Sequence, residues 1–405
     1  MRVPFYYGWL VLAASAVSEL LAQGATSYSA GLFVLPLQAE FHISRADANS
    51  SILVLFLGAI VMVPLAGRAL DCFPVRPLVT IGALVFGGAL AGIALSHSLW
   101  LMALLLLIPA ALGFGLIGPV TTSTLAARWF WKGRGLALGF AAVATSGGGL
   151  VVVPLLARAI QNNGWRAGLL AEAAIITAIV IALALAFLRD GPEQMGLESH
   201  PENLGRAAAA PVPLRWRDML ASRAFWVPAL ALASISGICQ AVVVTLVPYG
   251  VALGMTATRA ALAISVFAIC AAATKIVAGL LADYVAPLRL IIAAIVFMAL
   301  AQALLWLSPG QGALLVGAGL AGTALGCALP TAAGMLAGAF GSAVFGSAMG
   351  TTFALMAAGA IVASRFIGVI YDVSHRYDAA FETFLIVMAL VLAAALILKP
   401  RAQTP

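Results

Sequence analysis

Lys275 is the residue of this sequence with the sharpest chemistry. It lies in the apolar run CAAATKIVAGLLADY (270–284), and between Thr258 and Asp283 the other formal charges stand at the two ends, Arg259 and Asp283. A lysine near the middle of a bilayer costs about 2.5–3.5 kcal/mol on insertion scales. Its simplest use there is to hold an anion, against the plainer alternatives of buttressing a loop or snorkelling to the interface. Gly279 and Asp283 follow at successive spacings of four, one helical turn each. Asp283 therefore stands about 12 Å along the axis, too far to pair with Lys275 on one helix. Arg365, in MAAGAIVASRFIGVIYDVS, is a second cation in an apolar run. It either faces a cavity, where it suits a second carboxylate, or snorkels to the headgroups.

Polar groups on the first apolar run come next. Ser15, Glu19, Gln23 and Ser27, with Thr26 beside them, recur every four residues and make one polar face on a helix. Such a face belongs against a watery cavity or a partner half rather than lipid. Glu19 can carry a proton there, balance Lys275 when no anion is bound, or act only as a packing group. Tyr28, Thr145, Ser146, Ser236 and Gln240 either line a cavity or bond helix to helix. Glu172 is expected near the surface, one to two turns into its helix. His42, His97, His200 and His375 fall in loops or a linker without ligand spacing, and Cys72, Cys239, Cys270 and Cys327 show no CxxC pattern. No metal or cofactor is expected. Nothing resembles HExxH, a nucleophile elbow or a Walker loop, so an enzyme is not expected either.

The elements that position these residues are membrane helices. Of 405 residues, 63% are hydrophobic and 9% charged, against about a quarter charged in soluble domains; the mean hydropathy is +1.11. A net charge of +7 would suggest nucleic acid in a soluble protein, but these cations sort by membrane side instead. Apolar windows long enough to span fall near 8–36, 50–70, 77–96, 99–127, 135–157, 167–188, 225–248, 260–282, 288–307, 312–336, 347–370 and 380–398. That predicts an all-α integral membrane protein of twelve transmembrane helices. The polar stretch 189–224 reads as a linker closing in an interfacial amphipathic piece, PLRWRDMLASRAFW. The first window is too long for a cleaved signal and serves as its own insertion signal. Fourteen of the 21 lysines and arginines fall on the side bearing both termini, five fall on the other, and Lys275 and Arg365 lie inside. Both termini are accordingly expected in the cytoplasm, with the chain in a bacterial inner membrane.

The two halves repeat. Gly67, Asp71 and Arg76 follow span 2 as Gly279, Asp283 and Arg289 follow span 8. Spans 4 and 10 carry glycines and then Pro119 or Pro330, and spans 5 and 11 open with Gly135-xxx-Gly139 and Gly346-xxx-Gly350. The expected organisation is a six-helix half over 1–188, a linker over 189–224 and a second six-helix half over 225–405, rocking about a midplane site.

The repeated loop element resembles the cytoplasmic loop signature of the major facilitator superfamily. FYYGW at the start, YSAGLFVLPLQAEFHISRA (28–46), RWFWKGRGLALG (128–139), NGWRAG (163–168) and LVPYGVALG (246–254) are similar to the monocarboxylate transporter and oxalate/formate antiporter families. The resemblance covers both halves and implies the major facilitator fold, two pseudo-symmetric six-helix halves working by alternating access. In that branch a basic residue of span 8, four before the loop glycine, holds the substrate carboxylate. It is usually arginine; here it is Lys275. The aspartate often found one turn earlier is Ala271, the span 1 lysine of some members is Ser27, and a histidine before the LVPY block is Thr245. Oxalate-type exchangers pair an arginine in span 8 with a lysine in span 11, and this chain carries the swapped types, Lys275 and Arg365.

The function this implies is secondary active transport of small organic anions, mono- or dicarboxylates, as proton symport or anion exchange. Lys275, Arg365, Tyr28, Gln23, Ser27, Thr145 and Gln240 would contact substrate. Glu19 or Lys275 would carry the proton, since lysine can release one when buried and arginine stays charged. Gly67, Asp71, Arg76, Gly279 and Asp283 would latch the cytoplasmic face. The expected partners are the anion, protons and the bilayer, with the chain a monomer and no nucleic acid bound. A multidrug or amphiphile exporter is the alternative, though it would want an acidic cavity. A transport-inactive membrane sensor is another, and would want a signalling domain.

Overall fold

The computed structural model describes residues 6–43, 51–130, 133–195, 216–282, 284–307, 310–341 and 344–397. Among these every regular element is helical. Twelve helices are long and apolar enough to cross a membrane. Spans 1 to 6 are Gly8–Tyr28, Leu53–Cys72, Val75–Leu95, Leu99–Trp129, Arg134–Asn163 and Trp165–Phe187. Spans 7 to 12 are Arg223–Ala252, Leu262–Leu281, Pro287–Leu307, Gln311–Phe340, Phe345–Ser374 and Asp378–Ile397. The chain is a multi-pass membrane protein. Of the amphipathic piece in the linker, Trp216–Ala221 is a short helix, while residues 196–215 lie outside the described residues.

Local chemistry sets the helix ends. Spans 5 and 6 are joined by Gly164 alone, at φ +81°, a left-handed conformation that favours glycine. Ser222 accepts the N–H of Ala224 ahead of span 7, and Thr256 accepts that of Arg259 where the span 8 helix begins.

Two spans are interrupted by single π-helical turns, Gly24–Tyr28 in span 1 and Leu106–Ala110 in span 4. In the first, the carbonyl of Gly24 accepts both the N–H of Ser29, five residues on, at 3.0 Å and the Ser29 hydroxyl at 2.7 Å. The serine thus fixes the wider turn, after which the helix resumes as Ala30–Phe41. In the second, Pro109 has no N–H to donate, so an ordinary turn would leave a carbonyl unpaired. Span 4 breaks again at Gly118, whose extended backbone precedes Pro119 at the first position of a new helical segment.

The chain divides into two compact units. Unit 1 comprises Met1–Lys132, Ala141–Trp216 and Phe340–Ala354; unit 2 comprises Gly133–Phe140, Arg217–Ala339 and Leu355–Pro405. The start of span 11 therefore packs within unit 1 and the start of span 5 within unit 2. In unit 1, span 3 lies along span 6, with Gly87 against Ala173 and Thr177. The Tyr6 hydroxyl donates to the Trp129 carbonyl and that of Tyr7 to the Phe187 carbonyl. In unit 2, span 9 packs on span 12, and Tyr249 donates to the Leu305 carbonyl with its ring edge-on to Tyr377 and Phe381.

One ionic cluster ties unit 1 at the end away from the N-terminus. Glu40 accepts from the Trp165 indole at 2.8 Å and from Arg166 Nε at 3.2 Å. Arg166 lies 4.5 Å over the Trp165 ring and also reaches the Ala94 carbonyl and His97. The NGWRAG block so joins span 1's extension to spans 3 and 6. The hydrogen bond from Arg166 holds the Glu40 carboxyl below its ordinary range, helped by that from Trp165. A depressed carboxyl stabilises the fold above its unfolded value and loses that contribution as pH falls through the folded value. Glu40→Gln should lower the thermal midpoint at pH 7 by the equivalent of less than about 1 kcal/mol, since the pair is partly solvated. The gap from the unsubstituted protein should close as pH drops below about 4. A difference unchanged at low pH would show the bridge adds nothing ionic.

Candidate functional site

Lys275 is 4% exposed, on a face of span 8 that also buries Ala271, Ala278 and Gly279. That face is small, and neighbouring backbones close on it. Gly326 of span 10 abuts the carbonyl of Ala271. A Cβ on Gly139 of span 5 would sit 2.8 Å from the Lys275 carbonyl oxygen and 3.0 Å from the Gly279 Cα. Reciprocally, a Cβ on Gly279 would sit 2.8 Å from the Gly135 carbonyl oxygen and 2.9 Å from the Gly139 Cα. Within unit 2, the loop-motif glycine and the Gly-xxx-Gly pair are thus two sides of one contact.

Unit 1 repeats it. Gly67 lies against Gly346 and Gly350, and a Cβ on Gly350 would stand 2.7 Å from the Val63 carbonyl oxygen. Val63, four before Gly67, occupies in this repeat the place that Lys275 has in the other. The backbone contact is shared by both repeats; the charge belongs to one.

Asp71 completes the unit 1 contact. Its carboxylate oxygens accept the N–H groups of Gly346 at 2.8 Å and Ser347 at 2.7 Å. These are unsatisfied donors at the positive end of the span 11 helix, so the aspartate caps a helix remote in sequence. Around it, Arg128 donates to the Leu70 carbonyl at 2.6 Å and stands 3.6 Å from Asp190, which accepts the Val75 N–H at 2.6 Å. Arg76 donates to the Leu185 carbonyl. Sequence reasoning missed Asp190; its position directly behind span 6 in FLRDG was the available signal. Asp283, the counterpart of Asp71, lies outside the described residues.

The polar stripe of span 1 divides. Ser15 and Glu19 are each 1% exposed, where span 1 packs on spans 4 and 6, and Thr122 donates to the Ser15 carbonyl at 3.1 Å. Gln23 is half-buried and accepts from Ser27 at 3.0 Å. Beyond it the π turn rotates the chain, leaving Ser27 exposed and Tyr28 44% exposed. The Tyr28 hydroxyl hydrogen-bonds with Ser146 of span 5, and its ring covers Gly149. Thr145 donates to the Ala142 carbonyl at 2.7 Å. In unit 2, Gln240 is half-buried and Arg365 exposed, in a row with the exposed Val362 and Val369.

Glu172 corrects an expectation. It is 6% exposed rather than near the surface, on the stripe of Leu169, Ala173 and Ile176 that packs against spans 1 and 3. Neither of its carboxyl oxygens has a hydrogen-bond partner among the described residues.

The Major Facilitator Superfamily model matches residues 16–258 and 242–405. The chain belongs to the Major Facilitator Superfamily. This superfamily member is a transporter and not an enzyme. It is 29% identical over 385 residues, 93% of this chain and 83% of the relative, to monocarboxylate transporter 11 of Mus musculus. It is 25% identical over 264 residues, 64% of this chain and 59% of the relative, to the oxalate:formate antiporter of Oxalobacter formigenes. The crystal structure of the human organic anion transporter MFSD10 matches with a TM-score of 0.72 at 17% identity, covering 97% of this chain and 100% of that one. At that identity the likeness shows the fold alone.

The glycine contacts generate a test. Gly139→Ala places a methyl against backbone atoms that cannot rotate away, an overpacking that costs about 1–3 kcal/mol. Gly334→Ala is the control, because nothing lies within 4 Å of its Cβ position. In detergent Gly139→Ala should lower the thermal midpoint, while Gly334→Ala should hold or raise it, alanine being the better helix former. Equal behaviour of the two variants would contradict the close contact.

Proposed function

We propose that this transporter carries small organic anions, mono- or dicarboxylates, by alternating access. One observation carries the reading: the ammonium-bearing side chain of Lys275 belongs to a membrane-spanning helix and is 4% exposed. An ionisable side chain inside a membrane span marks a substrate or ion pathway by default, and a carboxylate is the simplest anion for a lysine there to hold and release. The relatives named for monocarboxylates and for oxalate and formate support the same substrate class. Gln240 and Arg365 are proposed as further substrate contacts in unit 2, and Tyr28, Gln23, Ser27 and Thr145 as contacts in unit 1. The excess of lysine and arginine on one side supports cytoplasmic termini; the proposed location is a bacterial inner membrane.

Lys275 and Gly279 are one turn apart, so an anion held by Lys275 acts on the same helical turn that docks on Gly135 and Gly139. Release of that contact, and of the Asp71 cap with its Gly67 neighbour, is the proposed gating step. Lys275 also carries the coupling proton in this scheme, with Glu19 as the competing carrier.

Uptake by purified protein in proteoliposomes holding a pH-sensitive dye tests these roles together. Lys275→Ala should insert and fold yet lose carboxylate uptake by about ten- to a hundredfold, the scale of a lost charge-assisted pair. Lys275→Arg should keep anion exchange and lose proton co-movement. Arg365→Gln should weaken dicarboxylates far more than monocarboxylates of similar size. Unchanged uptake in Lys275→Ala would sink the site, and proton movement that survives Lys275→Arg but not Glu19→Gln would give the proton to the glutamate.

A further inference from the structure

Unit 1 holds a cavity of about 510 Å³ at the end of its spans away from the N-terminus. Both π-helical turns of the chain's described part form its wall: Ala25 and Thr26 belong to the first, Leu106 and Ala110 to the second. Such turns give up regular helix geometry and concentrate at functional sites. The proposed transport site uses Ser27 and Tyr28 of the first turn, but it leaves the second turn and the apolar space between the two unexplained.

The chemistry of the wall narrows what can fill it. Every lining residue is alanine, valine, leucine, isoleucine, methionine, phenylalanine or tryptophan, except Thr26. The Thr26 hydroxyl is already donated to the Ala22 carbonyl at 2.8 Å. A water molecule needs two to four polar partners, and this wall is overwhelmingly apolar. A carboxylate finds no cationic side chain among the described lining residues. Hydrocarbon is the material that fits, and the volume lies within the roughly 300–1,000 Å³ of small-ligand sites.

The shape narrows it further. Lining residues on span 4 run from Leu99 to Ala110, about 16 Å along the axis. That is a long slot. At its mouth stand Trp165 and Trp100, the latter 87% exposed, both at the start of a span, where tryptophan marks the headgroup level. The cluster of Arg166, His97 and Glu40 lies beside Trp165 at this same end. An apolar slot under a polar, partly cationic rim matches a molecule with one charged end and one long tail.

We propose that this cavity is a lipid site, in which one acyl chain of a bilayer phospholipid fills the slot between the two π turns and its headgroup rests at Arg166 and His97. The chain supplies the packing that the two distorted helices lack from each other.

The full-length protein in phosphatidylethanolamine–phosphatidylglycerol vesicles tests this. The vesicles are doped with a phospholipid bearing a diazirine near the end of one acyl chain, then irradiated, digested and mapped by mass spectrometry. The label should concentrate in 25–43, 90–110 and 165–169. Ala110→Phe, which fills the deep end, should cut that label about fivefold or more, and Ala103→Trp, nearer the mouth, should do the same if the first variant does not fold. Label spread evenly over the spans of the unsubstituted protein would overturn the site without recourse to either variant. Label that persists in a folded, filled variant would overturn it as well. Labelling by a diazirine free fatty acid but not by the phospholipid would overturn the bilayer lipid as the source.

Discussion

A lysine kept out of water within a membrane-spanning helix sets the terms for everything packed around it. The bilayer offers its ammonium no water, so the fold must bring polarity to it or accept a cost of several kcal/mol. The neighbours of its helical turn are backbones rather than bulky side chains: Gly326 over Ala271, Gly139 over Lys275 itself, Gly135 over Gly279. Glycines at these positions let helices meet at close range. The turn that bears the charge is consequently also the turn most sensitive to how spans 5 and 10 lie against span 8. In the other repeat the same geometry surrounds Val63, which asks nothing of its surroundings. Of the two copies of this contact, the one in unit 2 bears a charge on its turn and the one in unit 1 bears a valine.

The Asp71 cap has a strength that suits the proposed gating step. A capping carboxylate contributes about 0.5–2 kcal/mol and its interaction with the helix dipole about 0.3–1 kcal/mol more. A ligand bound at micromolar affinity supplies roughly 8 kcal/mol, so differential binding of a fraction of that can break the cap and the Gly67 contact. Arg128, Asp190 and Arg76 fasten the neighbouring loop to spans 4 and 6 by bonds that stay inside unit 1, leaving Asp71 free to release span 11 without loosening its own support.

The spans were legible because a bilayer demands long apolar runs, and the twelve windows read from hydropathy correspond one for one to the twelve helices. The loop glycines and the Gly-xxx-Gly pairs were visible as repeats, but not that they dock on each other, since spacing along a chain does not name a partner. The π turns were invisible for a related reason. One depends on a hydroxyl at Ser29 reaching back to Gly24, the other on how the helix absorbs Pro109, and neither alters composition. The span 1 stripe follows ordinary helical spacing only as far as Gln23, and the turn at Gly24–Tyr28 moves Ser27 and Tyr28 away from the buried Ser15 and Glu19. For Glu172, closeness to a helix start does not mean closeness to water, because its face is the one that packs on spans 1 and 3.

The proposed role of Lys275 is to hold an anion, and not merely an organic molecule of the right size. Thermal-shift titration of the purified protein with carboxylates and with their uncharged amide counterparts, at constant ionic strength, separates the two most directly. A bound ligand raises stability by RT ln(1 + [L]/Kd), about 2.7 kcal/mol at a hundred times Kd. At least one small carboxylate should raise the midpoint in a saturable way while its amide, at the same concentration, leaves it unchanged. Amides that stabilise as well as the acids, or cationic amphiphiles that alone stabilise, would contradict the account.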